Sequence, residues 1–145
     1  MVVVTAIDGE EGSSRVLSEA WTLANRFDEP LHAVLVYEGP SHRELITKSL
    51  NIEDSVTPER AQEIAESVLA DVAEGVTDEY EAVGRTGEAP AEILEYAEKV
   101  DARYIVVGGR SRSPVGKALF GSVTQSVLLD ASCPVLAVMD ERERG

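Results

Sequence analysis

The chain has 145 residues, enough for one domain with a substantial core, and we take residues 1–145 as a single unit. Its formal net charge of −14, from 27 acids against 13 Lys and Arg, argues against nucleic acid and anionic lipid as partners, since both would meet a like-charged surface. One cysteine, Cys133, rules out an intrachain disulfide, no apolar run reaches the roughly 20 residues of a membrane span, and Met1 to Val4 lead into Asp8, Glu10 and Glu11 without a basic flank, so a cytoplasmic protein is expected.

In chain order, apolar runs at Val2 to Ile7, Ala33 to Tyr37, Tyr104 to Val107 and Val135 to Met139 read as strands covered on both faces, with a weaker strand at Asp78 to Val83. Four helical stripes lie between them. They are Val16, Ala20, Leu23, Ala24 and Phe27; Ala61, Ile64, Ala65, Val68 and Val72; Ile93, Leu94, Ala97 and Val100; and Val123, Val127 and Leu128. Thr57-Pro58 suits a helix start, and Ser122 with Gln125 reads as a capping box. Strict alternation of strand and helix predicts an α/β fold, a single-domain open parallel five-stranded sheet with helices on both faces. In such a sheet ligands bind beyond the carboxyl ends of the strands where strand order reverses, which directs attention to Asp8-Gly9 and to Gly108 through Gly121. The polar stretch from Glu38 to Ser55 is weakly patterned, with a short helix around Leu45 to Leu50 as one reading.

From Ala102 to Leu129 the chain holds no Asp or Glu but does hold Arg103, Arg110, Arg112 and Lys117, so this window carries +4 and the rest −18. Gly108, Gly109, Gly116 and Gly121 fall within it, and glycines let backbone N–H groups approach an anion. A phosphate-bearing small molecule is the natural ligand for such a segment. Burial accounts for the acid-free strand at Tyr104 to Val107 but not for Arg110, Arg112 and Lys117. The wider acid excess with only three lysines, at 48, 99 and 117, is halophile-like, a surface whose self-repulsion is screened by salt.

Two common phosphate motifs fail here. A P-loop needs four residues between its first Gly and Gly-Lys, and Gly109 to Gly116-Lys117 encloses six; the dinucleotide fingerprint should follow the first strand, which is followed instead by Asp8-Gly9-Glu10-Glu11-Gly12-Ser13. The spacing G-2x-G-9x-G-[ST] does fit, as Gly108-Gly109-Arg110-Ser111, nine residues, then Gly121-Ser122, with Ser111 at the second glycine position. Together with Val3 to Asp8 and Ser132-Cys133-Pro134-Val135-Leu136, this pattern resembles the universal stress protein family over nearly the whole chain. The resemblance implies a Rossmann-like fold of the adenine nucleotide alpha hydrolase-like type, a homodimer through the last strand Val135 to Met139, and binding of ATP or a related adenine nucleotide, with Mg2+ on the phosphates. Carried over by position, Ala6, Ile7 and Asp8 border base and ribose and Val36 packs on adenine. Val107 and Gly108 line the ribose side, and Ser111, Gly121, Ser122 and Val123 cradle the phosphates. Arg112, with Arg110 and Lys117, is a near-site cation.

The resemblance points to a stress-response sensor or adaptor acting through a protein partner, with no catalytic residue and no resident metal site. Two rivals stay open: an adaptor of the same fold that binds no nucleotide, suggested by Ser111 and by Glu10-Glu11, and a weak ATPase or autophosphorylating protein using Ser122 or Thr124. His32, His42, Cys133 and Trp21 read as structural, Ser13 and Ser14 as helix-cap residues, and Glu59, Glu63 and Glu66 as a solvated helix face.

Overall fold

A computed structural model describes residues 1–38, 56–109, 111–112, 118–119 and 121–139. The elements run β1 (Val2–Ala6), α1 (Ser13–Phe27), β2 (Leu31–Tyr37), α2 (Pro58–Ala73), β3 (Glu81–Thr86), α3 (Ala89–Lys99), β4 (Ala102–Gly108), β5 (Ser111–Arg112), β6 (Ala118–Leu119), α4 (Ser122–Asp130) and β7 (Val135–Val138). Five strands form one parallel sheet in the order β3-β2-β1-β4-β7, while β5 and β6 pair antiparallel in a separate two-stranded ladder.

Alternation along the strands divides the apolar residues between two cores. Val3, Leu31, Ala33, Leu35 and Val106 face α1 and α2, meeting Leu17, Ala20, Ala65 and Leu69. Val4, Val34, Ile105 and Val107 face α3 and α4, meeting Ile93, Tyr96, Ala97 and Val127. The continuous apolar runs are therefore strands buried on both faces. At the centre, the fully buried Thr5 donates its hydroxyl to the Val106 carbonyl at 3.0 Å, satisfying a polar group that would otherwise be costly there.

Several expected details shift. The third strand runs from Glu81 to Thr86, three residues later than its apolar pattern indicated. Its register is set by pairing of His32 with Glu81 through Tyr37 with Thr86, and as an edge strand it buries little, so its hydrophobic signal is weak. In the helices, Leu17, Leu69 and Tyr96 are buried core residues, whereas Phe27 and Leu128 are exposed. Thr57 caps α2 as expected, its hydroxyl accepting from Arg60 N–H at 3.1 Å with Pro58 following. The capping box at Ser122 does not form: Gly121 is the cap residue, without a side-chain bond, and Ser122 is the first helical residue. Nor do Ser13 and Ser14 cap α1. Gly12 holds that position at φ 92°, while Ser13 donates to the Asp8 carboxylate and Ser14 to the Val72 carbonyl near the end of α2.

The residues read as structural behave so. His32 Nδ1 lies 2.6 Å from the Tyr96 hydroxyl and its Nε2 3.0 Å from Glu81, and burial, with the Glu81 charge, pushes the Tyr96 phenol upward against the opposing Arg85. Cys133 is half-buried and burial raises its thiol. Trp21 packs against the first core, and Glu59, Glu63 and Glu66 are exposed. Glu29 joins the strand ends: Arg103 Nη2 and Nε donate to it at 2.9 and 3.2 Å, and the Met1 ammonium lies 3.2 Å away. His42, the helix expected near Leu45 to Leu50, Arg110, Gly116, Lys117 and the charged tail from Asp140 lie outside the described residues.

Candidate functional site

In the order β3-β2-β1-β4-β7 the chain leaves β1 toward one side of the sheet and β4 toward the other, so the loops after these strands part and open a crevice at their carboxyl ends. A cleft of about 330 Å³ lies there. Ala6, Ile7 and Asp8 enter it from β1, Val34 and Val36 from β2, Val107, Gly108 and Gly109 from β4, and Gly121 to Thr124 from the start of α4. Glu11, Gly12 and Val16 close the α1 side, and Ala89 and Ile93 of α3 complete an apolar wall with Val36.

Nine of the eleven residues expected at the site thus meet in one cavity: Ala6, Ile7, Asp8, Val36, Val107, Gly108, Gly121, Ser122 and Val123. The other two, Ser111 and Arg112, form β5, whose backbone pairs Ser111 with Leu119 and Arg112 with Ala118. That ladder brings the chain after Gly109 alongside the chain before Gly121. A larger and shallower groove of about 920 Å³ lies against α2 and β3, but carboxylates from Glu66, Glu74, Asp78 and Glu81 line it, which unfits it for an anion.

Three helix N-termini converge on the cleft, and they differ in how they are closed. At α3, Glu38 Oε1 accepts from Ala89 N–H at 2.8 Å, so a carboxylate already holds that terminus. At α1, Asp8 Oδ1 accepts from Glu10 N–H at 2.8 Å and from the Ser13 hydroxyl at 3.1 Å, and Glu10 and Glu11 stand exposed before it. At α4 the cap is Gly121, extended at φ −61° and ψ 155°, with no side-chain cap and no acid in the first turn. The first intrahelical bond there runs from Gln125 N–H to Gly121 O at 2.9 Å, leaving the N–H groups of Ser122, Val123 and Thr124 without helical acceptors. Partial positive charge from the helix dipole is concentrated at the same place.

The glycines divide by role. Gly109 does not offer its N–H to an anion, contrary to expectation: that N–H is donated to Val138 O at 2.8 Å, and a Cβ would displace the exposed Met139 thioether and crowd the Val138 carbonyl at 3.2 Å. Among the described residues, a Cβ at Gly108 would meet only Val16 Cγ2, at 3.6 Å, and one at Gly121 nothing within 4 Å. Packing demands glycine at neither position, so the space there belongs to the cleft. Thr124 has a structural task, its buried hydroxyl donating to the Gly108 carbonyl and tying α4 to the end of β4.

Sequence reasoning missed Val34, Ala89 and Ile93 as wall residues. Val34 shares a strand face with Val36 two residues on, a signal that was available. Ala89 and Ile93 carried none, because only packing sets α3 against the strand ends. Among the described residues no group of three His, Cys, Asp or Glu is placed to hold a metal ion, and no helix is long and apolar enough to cross a membrane.

A model of the universal stress protein family matches residues 1–139 of this chain. The chain belongs to the universal stress protein family. Among curated relatives, a universal stress protein of Methanocaldococcus jannaschii is 29% identical, the match covering 94% of this chain and 80% of the relative. Among solved structures, a universal stress protein from Archaeoglobus fulgidus is 33% identical with a TM-score of 0.67, covering 94% of this chain and 97% of that one. A structure of the universal stress protein from Archaeoglobus fulgidus in complex with dAMP is 27% identical with a TM-score of 0.61, covering 94% and 96% of the two chains. The expected five-stranded Rossmann-like α/β fold is thus the fold of its relatives.

Proposed function

We propose that this universal stress protein binds an adenine nucleotide, ATP or a related species, in the cleft between β1 and β4, and works as a dimeric sensor or adaptor in the cytoplasm. The observation that carries the reading is the meeting, in one cavity, of an apolar wall and the single converging helix terminus that bears no carboxylate among the described residues. Val36, Ile93 and Ala89 offer an apolar surface for a base. Asp8 uses only Oδ1 in bonds to described residues, so Oδ2 is available to a ribose hydroxyl. Phosphate would then lie at the N–H groups of Ser122 and Val123, and the family spacing adds Ser111 and Arg112, whose backbone forms β5, as further phosphate contacts. The dAMP complex of the Archaeoglobus fulgidus relative supports an adenine nucleotide as the ligand class.

Mg2+ would enter with the phosphates and not as a resident ion. Asp8 and Glu11 are the described carboxylates lining the cleft, and Mg2+ is commonly held by one or two carboxylates together with substrate phosphates. Such an ion would offset the repulsion between Glu11 and a triphosphate. No described side chain pairs a general base with an orienting partner at this site, so the protein is read as a binder and not a catalyst. Thr124 is a poor phosphoacceptor because its hydroxyl is already donated to Gly108 O. Ser122 is exposed and keeps the autophosphorylation reading open to test.

The proposed dimer would use β7, the edge of the described sheet opposite β3. Bonds from Ile105 N–H to Pro134 O and from Gly109 N–H to Val138 O place the even-numbered residues of β7 toward β4, so Ala137 turns its N–H and C=O to the side that pairs with no other described strand. Leu129, Leu136 and Met139 are exposed on the bordering elements. Pairing with a second copy about a two-fold axis would satisfy that edge.

Calorimetric titration with AMP, ADP and ATP, each with and without Mg2+, tests the binding reading, and mass spectrometry of small molecules released on denaturing the purified protein tests it independently. Saturable binding of at least one nucleotide is expected. Absence of binding to all three, with nothing released, would favour the adaptor that binds no nucleotide, the second reading that Glu10 and Glu11 suggest. Phosphate release from labelled ATP, or label on Ser122, would turn the reading toward an enzyme.

A further inference from the structure

The sheet edge opposite β7 carries a side chain where a neighbouring strand would lie. Among the described residues β3 pairs only with β2, so its outer side presents backbone groups that a further strand would take. Gln62 of α2 reaches them. Its Nε2 donates to the Ala82 carbonyl at 2.8 Å, and its Oε1 accepts from Gly84 N–H at 2.7 Å. These two backbone groups flank Val83, and together they are the acceptor and donor that one residue of an added strand would engage. A primary carboxamide, with one acceptor and two donors, reproduces that residue's pair of bonds.

Two further features hold the carboxamide in place. Nε2 also donates to Glu66 Oε1 at 3.1 Å, one turn along α2, so the nitrogen faces two acceptors and the oxygen a donor, which fixes the orientation of the amide. Gly84 brings the helix near enough. A Cβ there would collide with the Ala61 carbonyl, so α2 can lie against the β3 backbone only because position 84 has no side chain. Alongside, Glu66, Glu74, Asp78 and Glu81 line the groove of about 920 Å³, and a second copy of a chain of net charge −14 would meet like charge at this edge.

We propose that Gln62 closes the β3 edge against strand addition by a second copy of this chain, its carboxamide standing in for the residue that the copy would supply. The assignment is independent of nucleotide binding and of the β7 interface. The full chain carrying Gln62→Leu, which keeps comparable apolar bulk but neither donor nor acceptor, is compared with the parent by amide exchange at Gly84 and by light scattering over a range of concentrations at low and molar KCl. Exchange at Gly84 should become at least about tenfold faster as its acceptor is lost. Mass should rise with concentration beyond that of the parent, more so in molar KCl, and should still rise in an Ala137→Pro background where the other edge lacks a donor. Gln62→Ala, a strong helix former, gives the same readouts if Leu disturbs folding. Unchanged Gly84 exchange in a folded variant would overturn the assigned bond. Faster exchange with no gain in mass at any salt would overturn the closure of the edge.

Discussion

Replacing Gly121 by Val separates binding from folding at the α4 terminus. In the native backbone Gly121 sits at φ −61° and ψ 155°, ordinary extended geometry that a β-branched residue adopts without strain, and an added Cβ would meet no atom of the described residues, beyond its chain neighbours, within 4 Å. The remaining cost to stability is a poorer helix cap, about 1 kcal/mol, or a fall in Tm of about 4 °C for a domain of this size. For a ligand the effect is larger. The branched side chain stands beside the N–H groups of Ser122 and Val123, and losing two hydrogen bonds to a phosphate at about 1.5 kcal/mol each weakens binding by about 3 kcal/mol, roughly 150-fold. Calorimetric titration of parent and variant, with circular dichroism melts on the same samples, reads both quantities. A Kd unchanged in a folded Gly121→Val protein would remove the α4 terminus from the site. A collapsed fold would instead refute the assignment of position 121 to open space, and Gly121→Ser, a good cap residue, should leave stability intact while weakening binding less.

Glu29 is expected to make acid stability depend on Arg103. The hydrogen bond from Arg103 holds the carboxyl below its ordinary value of 4.5, against partial desolvation and with help from the Met1 ammonium, so its contribution is complete above that value and is lost as pH falls through the lowered folded value. Glu29→Gln should therefore melt below the parent at neutral pH, with the gap closing in melts taken at increasingly acid pH; a constant gap would count against the ion pair. Thermal stability should rise from low to molar KCl as the repulsion behind a net charge of −14 is screened, and a flat or falling melting curve series would reject self-repulsion as a main load on the fold. Ala137→Pro removes a donor from the free side of β7 and leaves the bonds to β4 in place, so the solution mass should drop from dimer to monomer with the far-ultraviolet dichroism retained; an undiminished dimer would locate the interface elsewhere.

The order of the strands and helices of the main sheet, its two-faced burial and the region of the cleft were legible in the chain because they depend on local periodicity, whereas the short β5–β6 ladder was not. Val3 and Val4 go to opposite cores for no reason beyond the pleat, and Asp8 and Gly108 reach the cleft because the one follows β1 and the other ends β4, the two strands that flank the reversal of sheet order. The family spacing ending at Gly121-Ser122 is likewise a feature of sequence alone. What the sequence left undecided are matters of which elements touch. Gly109 and Gly121 look alike in the chain, yet β7 takes the N–H of one and crowds it, while no described residue outside the neighbouring chain crowds the other. Glu38 and Glu10 are equivalent as acids, but only packing shows that Glu38 closes the α3 terminus. The apolar pattern ends the third strand at Val83, yet pairing with β2 carries it on to Thr86, with α2 packed directly on Gly84 and Gln62 bonded to its N–H. Periodicity records which face of an element is apolar; the choice among chemically similar residues is made by distances between elements far apart in the chain, and those distances exist only once the sheet has assembled.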